Sequence, residues 1–290
     1  MVDLPTAPPV TARMNYLGEQ AGRPFFHTTH GDRSRMAIEP REVVITDARG
    51  AHGLSFAEEG FMLVSDPLPA GWDLRDQSLR DGDYLVHLRD RIRAATGAAR
   101  VISDTTIIRQ PDPASFQVPV LNVHADFTDL SARQMLIESW DQGLGEAEAA
   151  ADLTQLLAES IDAPPGQARY ARVLAINAWR PITDPPHDLP LAVCAKNSIG
   201  LEDLRVADFR EELSADWIYD GELLLCRPNP SHRWYHFSDM RQDELLLFVE
   251  HDFSNPAHPP VMHSAFADAR CPPGAVGRES VEVRAFAFFE

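Results

Sequence analysis

VLNVHADFTDL, residues 120 to 130, places a histidine and an aspartate two positions apart in an otherwise apolar run. The run reads as a strand, in which side chains at i and i+2 project from the same face with Cα atoms about 6.5 to 7 Å apart. His124 and Asp126 then share one face, while Val123, Ala125 and Phe127 form the packing layer of the other. Burying two polar groups in such a strand is costly unless something compensates them. A divalent metal ion would compensate both. A buried His–Asp ion pair, or an exposed strand face, is the alternative. The triplet itself is weak evidence, because it recurs as His30 and Asp32 in HTTHGDRSR. There it sits in a polar, glycine-containing loop where both side chains can simply be solvated.

A metal needs a third ligand, and His263 in PPVMHSAF also lies in a short apolar strand. Two histidines and one carboxylate make the facial triad that leaves positions open on non-haem Fe(II) for a co-substrate and dioxygen together. Taken alone, a histidine such as His263 is more often a satisfied core residue, and His232, His236, His251 and His258 compete for the third place. Near the end of the chain, GRESVEVRAFAFF sets Arg278 and Ser280 on one strand face, with Arg284 further along it. A guanidinium beside a hydroxyl suits a carboxylate, which the arginine can clamp by two charge-assisted hydrogen bonds. An ordinary salt bridge to one of the chain's many acidic residues is the competing reading.

The flanking sequence supplies a β framework. Residues 1 to 40 lack sustained periodicity and read as an extended arm. REVVITDARG (41 to 50), GFMLVSDPLP (60 to 69) and ARVISDTTIIRQ (99 to 110) read as strands closed by turn residues. Between them, residues 78 to 96 place Tyr84, Leu85, Leu88, Ile92 and Ala95 at helical spacing, ending at Gly97. Residues 131 to 160 form a second, alanine- and glutamate-rich helical stretch, an insertion broken near Gly143 and Gly145 and stopped by APPG. GLGEAEAA within it follows a helical pattern instead of a strand, which argues against a dinucleotide loop. RVLAINAWRP, LAVC, GELLLCRP, HRWYHF, ELLLFVEHDF, PVMHSAF and ESVEVRAFAFF then succeed one another as strands. Many short strands punctuated by 23 prolines predict a mainly β fold, a barrel or double-sheet jelly roll with flanking helices. No internal repeat or linker divides residues 1 to 290, so one domain is expected.

Composition excludes several functions. A formal net charge of -18 repels phosphate backbones and anionic lipid, so nucleic acid and membrane are poor partners. The start, MVDLPTAPPVTARMNYL, lacks the basic and apolar regions of a signal peptide, and the cytoplasm is the expected location. Cys194, Cys226 and Cys271 are odd in number and far apart, as reduced structural residues are.

Taken in order, NVHADFT, NAWRP, NPSHRWYHF, DELLLFVEHD, HSAF and RESVEVRAFAF resemble the hydroxylase/desaturase family of iron- and 2-oxoglutarate-dependent oxygenases. The family's usual forms are NVHxDxT, NVWRPL, NPNHRWYYF, DEVLLFKxYDS, HTAF and RESIEVRALVF. MNYL and TGAARVISDTTIIR extend the likeness upstream, over nearly the whole chain. The resemblance implies a double-stranded β-helix (jelly-roll, cupin-like) core. It further implies Fe(II) held by His124, Asp126 and His263, 2-oxoglutarate gripped by Arg278 with Ser280, and O2 as oxidant. The implied outcome is hydroxylation or desaturation of a small specialised metabolite, with succinate and carbon dioxide as co-products. Departures fall in FVEHDFS, HSAF and YHF; they leave the three ligand positions intact and bear on substrate identity.

Substrate contacts are expected from Arg180 and Trp179 in NAWRP and from Tyr235 in HRWYHF, with Asn122 as a hydrogen-bonding neighbour of the ligands. A structural salt bridge at Arg180, and core packing of the aromatic residues, are the competing readings. Two other functions fit the residues: a cupin-like dioxygenase or isomerase that uses no 2-oxoglutarate, and a non-catalytic small-molecule binding barrel. A homodimer is compatible with each.

Overall fold

Alternation of side chains along the strands builds a two-sheet structure. The structure, a computed structural model, describes residues 8–28, 30–112, 115, 117–141, 170–214 and 217–290. In chain order the elements begin with β1 (Val10–Leu17), β2 (Phe25–His27), β3 (Ile38–Asp47), β4 (Phe61–Ser65), α1 (Gln77–Leu79) and α2 (Leu85–Thr96). They continue with β5 (Arg100–Arg109), β6 (His124–Ala125), α3 (Asp129–Asp141), β7 (Arg172–Pro181), β8 (Leu191–Cys194) and β9 (Leu204–Ser214). The last five strands are β10 (Trp217–Cys226), β11 (Trp234–His236), β12 (Glu244–Asp252), β13 (His263–Ala265) and β14 (Ser280–Phe289).

A nine-stranded sheet has the order β1-β3-β11-β8-β13-β6-β10-β9-β2, and a five-stranded sheet has the order β4-β12-β7-β14-β5. The smaller sheet is covered on both faces. Leu174, Ile176 and Ala178 of β7, with Val281, Val283 and Ala285 of β14, pack outward against Leu85, Leu88 and Ile92 of α2. The alternate residues point inward: Trp179 and Phe248 meet Val193 and Ala195 of the larger sheet, and Phe286 meets Phe127. Burial on both faces is why ELLLFV and VEVRAFAFF read as nearly continuous apolar runs. α2 ends at Gly97, which takes the left-handed conformation (φ 77°) and returns its N–H to Arg93. Among the described residues no helix is long and apolar enough to cross a membrane.

Three differences from the sequence reading have physical causes. The expected arm over residues 1 to 40 forms strands: β1 pairs antiparallel with β3 from Val10 opposite Ile45 to Leu17 opposite Ile38, and β2 adds parallel to β9. Val10, Ala12, Met14 and Tyr16 do alternate with polar neighbours, but the pattern is short, flanked by proline and glycine, and stabilised only by its partner strand. β9, whose RVADFREEL is too charged to signal a strand, is likewise drawn into the sheet by its ladder with β10. Finally, the strand expected around VLNVHADF contracts to His124–Ala125, because the chain bends at Asp126 after pairing with β10 and β13. Of the expected helical stretch, α3 covers the start; residues 142 to 169, with GLGEAEAA and APPG, lie outside the described residues.

Ile92 is fully buried between α2 and the smaller sheet. Ile92→Ala is expected to destabilise the protein by about 2–5 kcal/mol, read as a lower urea midpoint at unchanged slope.

Candidate metal centre

β6 and β13 are neighbours in the larger sheet, and their register sets His263 directly opposite His124. The two rings lie with centroids 4.2 Å apart. The bend after β6 brings the Asp126 carboxylate back toward both: its Oδ1 is 3.6 Å from His124 Nε2 and 4.0 Å from His263 Nε2. One donor atom from each of the three residues falls within 4.8 Å of the others. Two neutral nitrogens and one anionic oxygen at this separation fit a divalent ion of the iron class.

Surrounding groups fix which atom of each residue faces the centre. His124 Nδ1 donates to the Asn122 carbonyl at 2.7 Å, which leaves Nε2 its lone pair. Arg284 Nε donates to Asp126 Oδ2 at 2.8 Å and Asn177 Nδ2 does so at 3.4 Å, which leaves Oδ1 for the centre. Glu250, fully buried on β12, accepts the Asp126 N–H through Oε2 at 2.8 Å. Its Oε1 lies 3.3 Å from His263 Nδ1, and both of these buried atoms lack a well-formed hydrogen bond. An ion on Nε2 would fix the proton on Nδ1 and make it the donor to Glu250, so the orphaned pair itself fits a metal at this position.

The protonation states agree with that donor set. Burial, reinforced by the neighbouring His124, pulls His263 down to about 3, and burial lowers His124 also, so both rings are neutral at neutral pH. For Asp126 burial opposes ionisation, but the charge and hydrogen bond of the Arg284 guanidinium outweigh it and hold the carboxyl below the usual carboxylate range. Burial, then the nearby Asp126, pushes Glu250 well above that range.

His124 and His263 line a cleft together with Arg278, walled by Pro119, Trp179, Leu191 and Ala265 and flanked by Arg109 and Glu282. Arg278 and Ser280 are both buried, and Arg278 Nη1 donates to Ser280 Oγ. Nε donates to the Leu189 carbonyl at 2.6 Å, and the guanidinium carbon sits 5.3 Å from the Trp179 ring centroid. Among the described residues no carboxylate lies within salt-bridge distance of this guanidinium, and burial pulls it down to about 10. The ordinary salt bridge weighed for Arg278 is therefore absent there. A buried cation of this kind calls for an anionic guest. Arg284 plays a different part, bracing Asp126, while Arg109 pairs with Glu282 at 2.8 Å between them.

The other candidates divide. Trp179 points inward and packs on Arg278, but the next residue, Arg180, points to the opposite face. Arg180 is fully buried in an ion pair with Asp66, donates to the carbonyls of Asp66 (3.2 Å) and Gln242 (3.0 Å), and lies over the Tyr84 ring. Strand parity thus places Arg180 in a buried ion pair on the face of β7 away from the Arg278 cleft, and it is not among the residues that line that cleft. Tyr235 packs against Phe61 at 5.5 Å instead of lining the cleft, and Asn122 serves through its carbonyl. The competing histidines are engaged elsewhere: His232 with Asp203, His251 with Asp129 and His258 near Asp252, while His236 packs on Phe266. His30 contacts Glu212 in its loop, and Asp32 stays in an exposed turn. Glu250, Asn177, Arg109 and Glu282 were not singled out from the sequence. Their signal was a polar residue of inward parity inside an apolar strand, as in ELLLFVEHD and ESVEVRAF.

Residues 14–288 match a family described as oxidoreductase/YMDC permease-like domain. The hydroxylase/desaturase efuI of Hormonema carpetanum is 30% identical over 98% of this chain and 96% of its own length. An Fe(II)/2-oxoglutarate-dependent dioxygenase of Aspergillus novofumigatus, nvfI, is 27% identical over 86% and 84% respectively. A solved structure of the iron and alpha-ketoglutarate-dependent endoperoxidase NvfI superposes with a TM-score of 0.78 at 23% identity, covering 98% of this chain and 99% of that one, and supports the jelly-roll fold. The chain belongs to the hydroxylase/desaturase family of iron- and 2-oxoglutarate-dependent oxygenases.

Glu250→Leu removes the acceptor for both the Asp126 N–H and His263 Nδ1. It is expected to weaken Co(II) binding about 10- to 100-fold, followed by the visible absorption of the bound ion, in protein whose circular dichroism shows it folded.

Proposed function

We propose that the protein hydroxylates or desaturates a small specialised metabolite as a non-haem Fe(II)- and 2-oxoglutarate-dependent oxygenase, with His124, Asp126 and His263 holding iron and Arg278 with Ser280 receiving 2-oxoglutarate. One observation carries this reading: a two-nitrogen, one-oxygen donor set within 4.8 Å presents both of its histidines to a cleft that also holds a buried arginine with no carboxylate within salt-bridge distance among the described residues. Iron, 2-oxoglutarate and O2 together supply the oxidising power, with succinate and carbon dioxide as co-products.

The chain's own residues supply position and exclusion of water. Neutral His124 and His263 offer ring nitrogens without a competing proton, and Arg284 with Asn177 keeps Asp126 Oδ2 occupied so that Oδ1 stays presented. Arg278 and the Ser280 hydroxyl match the far carboxylate of a five-carbon keto diacid, and Trp179 covers the guanidinium and limits its hydration. β14 carries Ser280 beside that anchor and, further along the same face, the Arg284 that braces Asp126, so one strand ties the co-substrate's seat to the ligand group. A cupin-like enzyme without a keto acid leaves Arg278 with no anion, and a non-catalytic barrel leaves the donor set without a purpose. Three free cysteines support a cytoplasmic location.

Succinate release from 2-oxoglutarate under Fe(II) and oxygen tests the assignment. Arg278→Ala is expected to raise the KM for 2-oxoglutarate about 10- to 100-fold, the equivalent of losing charge-assisted hydrogen bonds. Iron-loaded protein that binds no 2-oxoglutarate, with activity indifferent to His124→Ala, would sink it.

A further inference from the structure

A cavity of about 270 Å³ lies apart from the metal centre, where β7 and β11 end and β8 and β12 begin. Its size approaches the range of small-ligand sites, about 300–1,000 Å³. Trp179 and Leu191 wall both this cavity and the Arg278 cleft, but none of His124, Asp126 and His263 lines it. The floor is apolar: Trp179, Met240 and Leu246 are buried, and Phe237 is half-buried. Pro186, Asp239 and Arg270 are exposed and form the mouth.

The donors around this space are spent. Arg270 grips Asp268 through Nε at 2.9 Å and Nη2 at 2.7 Å, and nearby Arg49 grips Glu244 at 2.7 and 2.6 Å. Ser238 Oγ donates to Asp47 at 2.7 Å. His187 Nε2 donates to the Met240 carbonyl at 2.9 Å, and burial pulls the ring's pKa down, so Nδ1 is a bare lone pair; it has no partner. His236, also held neutral by burial, keeps Nε2 without a partner and can take either role. Asp239 makes no hydrogen bond or ion pair among the described residues. It takes a left-handed conformation (φ 45°), the single non-glycine residue among them to do so, and a carboxylate thus occupies a turn position that glycine fits at less cost. What is left unengaged is a carboxylate at the mouth and a lone pair inside, both acceptors.

We propose that this cavity is a binding site for an organic cation, a primary ammonium on a compact apolar body, with the ammonium at Asp239 and the body on the floor formed by Trp179, Met240 and Leu246. An anionic guest would meet Asp239 and Asp268 with both neighbouring guanidiniums already engaged. A neutral alcohol could donate to the same acceptors but would leave the Asp239 charge unpaired. The ammonium supplies donors and the opposite charge together, and the faces of Trp179 and Phe237 favour a cation over a neutral group. The site goes beyond the oxygenase reading: it is separate from the metal ligands and adjoins the Arg278 cleft only through their shared wall.

Equilibrium binding tests this without turnover. The full chain, labelled with ¹³C-methyl methionine, is titrated with 2-phenylethylammonium, 2-phenylethanol and 3-phenylpropionate in about 0.5 M NaCl, which screens the general attraction of cations to so acidic a protein. The Met240 methyl signal, identified by its loss in Met240→Leu, reports where the guest sits. The ammonium should shift that signal and bind about 5-fold more tightly than the alcohol, the advantage of an ion pair at a mouth open to water, with the carboxylate weakest. Asp239→Asn, in which asparagine also accepts the left-handed backbone, should weaken the ammonium about 5-fold and leave the alcohol unchanged. The proposal is overturned if the ammonium leaves the Met240 methyl unmoved, if the alcohol or the carboxylate binds as tightly as the ammonium, or if Asp239→Asn keeps the ammonium's advantage.

Discussion

Arg284 reaches from the smaller sheet to the Asp126 carboxylate of the larger one, and the 2.8 Å contact joins the two halves of the sandwich where their interior is polar. Breaking a buried pair of this kind costs several kcal/mol, because the surviving charge keeps its desolvation penalty. Glu250 makes a second tie between the same sheets, from β12 to the Asp126 N–H. Together they hold a residue that has left regular strand geometry at a bend, where backbone pairing alone would not fix it. The position of the third donor atom relative to His124 and His263 depends on these two contacts.

Around that junction the buried charges are ordered by sign. Asp126, Arg284, Glu282 and Arg109 alternate through contacts of 2.8, 3.9 and 2.8 Å, so Glu282 lies between two cations and Asp126 ends the series on Arg284. Such a network keeps its side chains in one arrangement because every alternative leaves a charge unpaired. Arg278 stands apart from it, partnered by a hydroxyl, two backbone or carboxylate contacts through its stem and main chain, and an indole face. Its cation is held in place and left to be neutralised by something outside the chain. The same interior thus contains one self-compensated cluster and one arginine that is not.

Strand parity explains why neighbours in NAWRP have unrelated roles. Trp179 faces inward and covers Arg278, and Arg180, one residue on, crosses to the helix side and is consumed by Asp66. A motif read as a unit assigns both to one task. Parity separates them. Tyr235 illustrates the same limit, because an aromatic residue in a strand can be placed in a core or a cleft only when the opposite layer is known.

The sequence by itself determined the strands of the smaller sheet, the amphipathic α2 with its glycine stop, and the residue types that meet at the centre, because period, turn chemistry and donor type are local properties. HxD in an apolar run, a distant histidine in another and RxS on a terminal strand were legible as chemistry; their meeting rested on resemblance. Only the tertiary structure decided that His263 and not His232, His236, His251 or His258 stands opposite His124, since β-strand register is a non-local choice made by the whole sheet. It also decided that Glu250 and Arg284 serve Asp126, and that the N-terminal segment is part of the larger sheet. Those outcomes depend on partners distant in sequence, from tens of residues for β1 with β3 to more than a hundred for Glu250 and Arg284 with Asp126, which no local pattern encodes.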